Sequence, residues 1–430
     1  MRILIILISC LLPFSVADDL TQISHNEIPN EDIVSDDESK WRLEAIHKMW
    51  EERRKMGHTP LVKFSPPGFP NTDIFFKNET VSATRTLKHR FAWALLLWAI
   101  VEGKVTSKTS AVYDATSGNM GSAEAYMCTL VGIPYFAVVS EECEQEKIDN
   151  IEKFGGKVIK VPTALRTTKS NEFAIENNGF YINQQKNAAL AEEFHESGDF
   201  INYESSNVFH EILVQLKDNE KQTSKVPDFF VHPAGTGGTV SSVGRYVVKY
   251  GLPTKVVLAD SQFSVYYDYV IGNKFTNQTG EKVWRAPGIA GTGYGYDIVP
   301  IQYGETTSLT KNVINEAMKM PDIATVAAMR ILNEMGYNAG ASTSLNFLVC
   351  LYKAYQTKQK SSNNEYQLTI ATLAGDPGDF YHSTYLDDGW VDTHLNYVGG
   401  VTAMECWKKL IQESIDTGSN FYLNGLTMCS

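Results

Sequence analysis

The chain has 430 residues and a formal net charge of −12. That length allows about two ordinary domains with full cores, and the acidic balance argues against a general nucleic-acid binder. No repeat period or low-complexity block stands out, which disfavours a solenoid.

Residues 1–17 read as a secretory signal peptide. Arg2 opens an apolar run from Ile3 to Phe14, and Ser15-Val16-Ala17 precedes Asp18-Asp19. The run is shorter than the about 20 residues a membrane span needs. The expectation is a protein of the secretory pathway or the extracellular space; an uncleaved segment anchoring it in a membrane is the alternative. Asn78-Glu79-Thr80 and Asn277-Gln278-Thr279 are glycosylation acceptors on that route. Cys10 would leave with the signal. Cys128, Cys143, Cys350, Cys406 and Cys429 remain, an odd and sparse set that makes no disulfide framework. One or two bridges can form, and spacing does not pair them. No CxxC or HxxxH pair exists, so no metal site is expected. His58, His232 and His382 read as structural polar groups.

After an acidic arm, helical spacing of Trp41, Leu43, Ile46, Met49 and Trp50 predicts a helix to Met56. Gly57-His58-Thr59-Pro60-Leu61-Val62 starts an extended segment, and Ile74-Phe75-Phe76 reads as a strand. Helices are expected over 91–101, 120–131, 144–154 and 187–198, alternating with strands over 111–113, 135–139 and 158–161. A second series has strands at 229–232, 255–259 and 368–373 and helices at 240–250, 322–335 and 345–355. Gly288 to Gly295 is a glycine-rich loop between these elements. The βαβα order argues for two α/β units with parallel sheets covered by helices.

Three turns and one lysine carry the chemistry. Gly235-Thr236-Gly237-Gly238-Thr239 lies between a strand and a helix. Its glycines allow backbone amides to crowd one oxyanion, and the helix start adds partial positive charge. It lacks the GK[ST] ending of a P-loop, so a nucleoside triphosphate is disfavoured. Such a turn can equally exist for tight packing alone. Thr116-Ser117-Gly118-Asn119-Met120 can expose amides suited to a carboxylate, or simply cap a helix. Ser342, in Ala339-Gly340-Ala341-Ser342-Thr343-Ser344, has the same plain reading as a cap. Lys88 opens an apolar helix; alone it reads as a snorkelling lysine, but a buried lysine can also bind a carbonyl covalently.

Taken in order, these motifs resemble the fold-type II PLP enzymes of the cysteine synthase and cystathionine β-synthase family, over about residues 57–390. Gly57 to Val62 resembles the family's G-N-T-P-L-V, Leu87-Lys88-His89-Arg90 its V-K-D-R, and Ala115 to Gly121 its A-T-S-G-N-T-G. The closer likeness is to the L-cysteine desulfhydrase-like branch, on Asp376-Pro377-Gly378-Asp379 and on Tyr385 to Trp390. The resemblance implies the tryptophan synthase β-like α/β fold: two open twisted sheets covered by helices, with pyridoxal 5′-phosphate between them. It implies that Lys88 is the catalytic lysine that holds PLP. Asn119 would meet the ring hydroxyl, Gly235, Thr236, Gly237, Gly238 and Thr239 the phosphate, and Ser342 the pyridine nitrogen. Thr116, Ser117, Gly118, Met120 and Gln185 would line the site of a small amino-acid substrate. A neutral Ser342 would leave that nitrogen largely unprotonated. His89, Met120 and Pro377 depart from the family pattern. No haem site is expected before Lys88, and no regulatory domain pair after Trp390.

The expected division is a signal peptide (1–17), an acidic arm (18–40), and a larger phosphate-binding α/β domain (41–90 and 206–405). A smaller α/β domain (91–205) would carry the carboxylate loop, and 406–430 would be a tail. The expected activity is β-elimination of sulfide from L-cysteine or a related β-substituted amino acid, by a homodimer without nucleic-acid partners. Met120 would narrow the site against a second substrate. β-Replacement and a non-catalytic PLP-binding protein are the other two readings.

Overall fold

The computed structural model describes residues 37–197, 205–274, 288–295, 307–360 and 366–429. The signal-peptide segment and Asn277 lie outside them. The strands are β1 (Leu61–Phe64), β2 (Thr72–Asn78), β3 (Val112–Ala115), β4 (Tyr135–Ser140), β5 (Lys157–Val161), β6 (Phe180–Tyr181), β7 (Phe229–Pro233), β8 (Lys255–Ser261), β9 (Glu316–Met320) and β10 (Leu368–Ala374). The helices are α1 (Asp37–Met56), α2 (Lys88–Val101), α3 (Asn119–Val131), α4 (Gln145–Lys153), α5 (Arg166–Glu176), α6 (Gln184–Ser197), α7 (Val208–Asp218), α8 (Gly238–Lys249), α9 (Tyr266–Gly272), α10 (Asp322–Glu334), α11 (Ala341–Lys360), α12 (Asp388–His394), α13 (Gly400–Thr417) and α14 (Phe421–Met428).

Two sheets result. One has six strands in the order β1-β2-β10-β7-β8-β9, parallel except for the antiparallel β1–β2 pair. The other has four parallel strands in the order β5-β4-β3-β6. Strand periodicity divides the core of the larger sheet. Ile74, Phe76, Val231, Val257 and Ala259 face one apolar cluster with α10, α11 and α13; their neighbours Phe75, Phe230, Val256 and Leu258 face another with α7 and α8. In the smaller sheet Val112, Ala137 and Val139 join a cluster with α2 and α3, while Tyr113 and Phe136 stack on the opposite face.

Helix α2 is apolar around most of its circumference because α1, α3 and α6 enclose it. Among the described residues no helix is long and apolar enough to cross a membrane.

Several expectations need correction. Helix α1 begins at Asp37, inside the expected arm, and α11 runs from Ala341 to Lys360. Strands β6 and β9 and helices α5 and α7 are additions to the expected elements, although α7 is amphipathic, with Val208, Phe209, Ile212 and Leu216 buried. The described part of the expected tail, 406–429, is no tail: it completes α13 and forms α14, whose Phe421 enters the main core. A Cys406–Cys429 disulfide joins the two helices, with Cα atoms 5.5 Å apart. Cys128 and Cys350 are buried free thiols.

Candidate functional site

The loops after β3, β7 and β10 all leave the C-terminal ends of parallel strands, where an open α/β sheet places its ligand. Lys88 starts α2 beside the β10 loop, because the Leu87 N–H donates to the Gly375 carbonyl (2.7 Å). The Lys88 N–H donates to Thr86 Oγ1 at 3.2 Å. The side chain is half-buried, with Nζ 5.5 Å from the centre of the Phe91 ring. Burial lowers its amine below the ordinary lysine range, against the charges of Glu192, Asp376 and Glu124. Buried His232, at the end of β7, is pushed down to about 3 by desolvation and by Lys88, so it stands neutral.

The turn after β7 enters α8 through Gly237, at φ +86°. A Cβ there would fall 2.4 Å from the Leu309 backbone nitrogen, so only glycine fits. A Cβ at Gly235 would meet the Gly291 carbonyl at 2.5 Å. The loop is therefore walled by residues 288–295 and 307–310. Its carbonyls are held from α9 and from that wall: Tyr266 OH donates to Gly235 O (3.0 Å) and Ser308 N–H to Thr236 O (2.7 Å). Thr236 Oγ1 accepts from the Gly238 N–H at 3.3 Å. Thr239, on the first turn of α8, lines a cavity of about 50 Å³ with Arg90, Glu192 and His195. The first-turn amides of α8 are those a helix does not bond internally.

In the turn after β3, the Thr116 hydroxyl accepts from the Gly118 and Gly121 amides, both at 3.1 Å. Ser117 is exposed, and Gly118 sits at φ +125° under buried Lys147, whose Cδ would be 2.6 Å from a Cβ there. Asn119 starts α3, and its Nδ2 donates to Asp376 Oδ2 at 2.7 Å. Met120 is not with these residues: it is 2% exposed and packs in the apolar cluster of α2 and α3. The turn is supported from behind by Gln184, whose Nε2 donates to Asp114 Oδ2 (2.8 Å) and to Ala115 O (2.9 Å). Gln185 is half-buried, and its carbonyl accepts from Ser308 Oγ at 2.8 Å. Ser342 is half-buried on α11, its Oγ 2.7 Å from where a Cβ on Gly375 would stand.

Two of the basic residues near Lys88 serve the scaffold. The pair of His89 with Glu52 (3.1 Å) joins α2 to α1, and the His89 ring lies against Tyr126 of α3. Arg90 does not reach toward Lys88. It is bound to Glu79 (2.9 Å) and Glu211 (2.9 Å), in a network with Arg53 and fully buried Lys77.

Sequence reasoning gave no site role to Asp376, Tyr381, Lys147 or the 288–295 loop. Asp376 entered only as part of the Asp376-Pro377-Gly378-Asp379 run after a strand. A buried carboxylate has no periodicity to betray it; only its place after a strand was legible. Pro377 pairs with Ala339 through a backbone bridge, which ties this loop to the Gly340 turn.

Fold and site together define an α/β protein of two sheets, with strand ends gathered around a half-buried lysine and a glycine-rich helix start. The chain belongs to the family of pyridoxal-phosphate dependent enzymes, whose model matches residues 53–371. Pyridoxal 5′-phosphate is thus its cofactor. A Caenorhabditis elegans protein provisionally named as pyridoxal-phosphate dependent is 71% identical over 414 residues, covering 96% of this chain and 95% of that protein. An L-cysteine desulfhydrase of Mycobacterium tuberculosis is 28% identical over 373 residues, covering 85% of this chain and 93% of the relative. The crystal structure of an O-ureido-L-serine synthase shares the fold, with a TM-score of 0.62 at 23% identity, over 79% of this chain and 95% of that one.

Proposed function

We propose that the chain is a PLP-dependent lyase that releases sulfide from L-cysteine or a related β-substituted L-amino acid. The observation that carries this reading is the half-buried Lys88 amine, lowered by burial, beside Asp376 and Asn119 at the end of β10 and the start of α3. The similarity to the L-cysteine desulfhydrase supports the substrate class.

The residues present fit the cofactor. Gly237 lets the turn pack on the Leu309 backbone at the start of α8, whose first-turn amides can donate to a phosphate. Asn119 Oδ1 is a buried acceptor without a partner, suited to the ring hydroxyl. Lys88 would hold PLP, the Gly235–Thr239 loop its phosphate and Asn119 its hydroxyl. Bound PLP takes up the electron pair left when the substrate α-proton departs. Lys88, whose amine burial shifts toward the neutral form, receives that proton on Nζ. In the turn of Thr116, Ser117 and Gly118, the Ser117 amide and hydroxyl would hold the carboxylate, since the Thr116 amide donates to Val138 O and the Gly118 amide to Thr116 Oγ1; Gln185 would line the same site. The Cβ–S bond then breaks and hydrosulfide leaves with the bonding pair. Addition of water converts the remainder to pyruvate and ammonium.

The test is to incubate the PLP-loaded protein with L-cysteine and measure sulfide and pyruvate, with homocysteine added in a parallel sample. Equal sulfide and pyruvate support the reading. Cystathionine as the main product would replace it with β-replacement. Burial of Met120 in the core removes the steric argument against a second substrate, so this competition decides the reaction. PLP bound with no turnover would leave a non-catalytic binding protein.

The compartment and assembly belong to the same proposal. The apolar start and the Cys406–Cys429 bridge fit the secretory route, where disulfides persist. N-terminal sequencing of secreted material should begin near Asp18. Sedimentation should give a dimer. At Asn78 the side-chain oxygen is held by Thr80 Oγ1 (2.7 Å), and intact mass shows whether a glycan is carried there.

A further inference from the structure

We propose that Asp376, and not Ser342, faces the ring nitrogen of the cofactor and keeps that nitrogen protonated. The inference rests on the PLP reading above and deepens it. Asp376 is 2% exposed and is fixed on both sides. The preceding carbonyl, of Gly375, accepts from the Leu87 N–H, one residue before Lys88; the Asp376 carbonyl accepts from the Gly340 N–H at 2.9 Å. Its carboxylate therefore stands where the Lys88 helix, the α11 turn and Asn119 meet.

The hydrogen-bond account of this carboxylate is incomplete in an informative way. Oδ2 accepts from Asn119 Nδ2 (2.7 Å) and from Tyr381 OH (2.5 Å). Oδ1 is buried without a partner, and so is Asn119 Oδ1. A buried acceptor left unpaired is destabilising, and more so when charged. Two such acceptors on side chains that are themselves hydrogen-bonded to each other call for a ligand that donates. PLP can offer two donors on its ring: the protonated nitrogen and the 3-hydroxyl. A carboxylate suits the cationic N–H, and a neutral amide oxygen suits the hydroxyl.

The surroundings agree. A Cβ at position 340 would lie 2.0 Å from Asp376 Oδ1, so glycine there is what makes room for the carboxyl. Ser342 Oγ fills the side-chain face of Gly375 instead. Burial raises the Asp376 carboxyl above its ordinary range, against Tyr381, Lys147 and Asn119. A ring cation would supply the charge that holds it ionised. Chemically the difference from a serine is large. A hydroxyl leaves the ring nitrogen neutral, whereas a carboxylate favours its protonated, more electron-withdrawing form.

The experiment loads the full-length protein with PLP labelled with ¹⁵N in the ring and records the ¹⁵N spectrum. The expected signal is that of a protonated nitrogen in the wild type and in Ser342→Ala, and of an unprotonated one in Asp376→Asn. PLP affinity should fall roughly tenfold to a hundredfold in Asp376→Asn, the loss of one charge-assisted hydrogen bond. An unprotonated nitrogen in the wild type overturns the proposal, with or without a folded variant. So does protonation that is lost in Ser342→Ala and kept in Asp376→Asn. A chain that takes up no PLP gives no bound signal and overturns the cofactor reading as well.

Discussion

Asn119 and Asp376 are joined by a 2.7 Å hydrogen bond that crosses from one sheet to the other. Asn119 starts the helix after β3 of the four-stranded sheet, and Asp376 follows β10 of the six-stranded one. The two residues are 257 positions apart in the chain. The bond holds the two halves of the site in register before any substrate arrives, as precise positioning of reacting groups requires.

Lys88 is expected to be the residue covalently linked to PLP. Borohydride reduction followed by peptide mapping should place the adduct on the peptide containing Lys88. In Lys88→Ala the adduct should vanish while the far-ultraviolet dichroism is kept. An adduct on another lysine of the wild type would refute the assignment.

The phosphate loop is best tested at Gly238. A Cβ at Gly237 would strike the backbone of Leu309, so Gly237→Val should disturb the fold as well as the loop. At Gly238 the nearest atoms are side-chain atoms, Ala188 Cβ at 3.0 Å and Glu192 Oε1 at 3.2 Å. Gly238→Ala should therefore lower PLP affinity about tenfold or more while shifting the apo melting temperature by only a few degrees. Unchanged affinity, read by fluorescence titration, would remove the loop from the site.

The Glu211 network should dominate the acid limb of stability. Arg90 and Lys77 hold the Glu211 carboxyl down at about 2, against its burial. A depressed carboxyl contributes stability above its unfolded value, near 4.3, and loses it as pH falls from about 4 to about 2. Glu211→Gln should cost about 3–5 kcal/mol at pH 7, because Lys77 and Arg90 lose a buried counter-charge. Denaturant midpoints at pH 7 and pH 3 measure both effects; a loss of less than 1 kcal/mol at pH 7 would count against the network.

Asp114 acts with the opposite sign. Burial raises its carboxyl to about 7, and burial raises Asp322 to about 7 as well. The folded protein then binds more protons than the unfolded chain between about pH 4 and pH 7. Stability should fall as pH rises through that window, on the order of a kcal/mol or more per group. Asp114→Asn should flatten the slope in a series of melting curves; an unchanged slope would show that Asp114 ionises freely.

The Cys406–Cys429 bridge closes a short loop, 23 residues in sequence separation. Replacing both cysteines by serine should cost about 3 kcal/mol by the loop-entropy relation. Mass mapping without reduction should recover the two peptides joined. Free thiols at both positions in secreted protein would contradict the pairing.

Much of this could be read from residue order alone. The strands at Phe229 and Leu368 and the helix after Lys88 were legible because apolar runs of strand or helix length sit between glycine, proline and polar punctuation. The order of Lys88, the Asn119 turn, the Gly235 loop and the Gly340 turn was enough to place the chain among PLP enzymes. Short-range chemistry fixes such features: a glycine at Gly237 is needed where φ is +86°, and the need is written in the residue itself.

Tertiary structure decided the rest, because it concerned partners far apart in sequence. Arg90, two residues from Lys88, belongs to Glu79 and Glu211, and His89 belongs to Glu52. Met120, beside Asn119, is turned into the core, since successive residues at a helix start point in different directions. Asp376 became a site residue only when β10 brought it against Asn119 and Gly340. Local pattern determines which segments are strands, helices and tight turns. Which charges meet across two sheets is set by packing, and the cost of burying an unpaired charge makes those meetings specific.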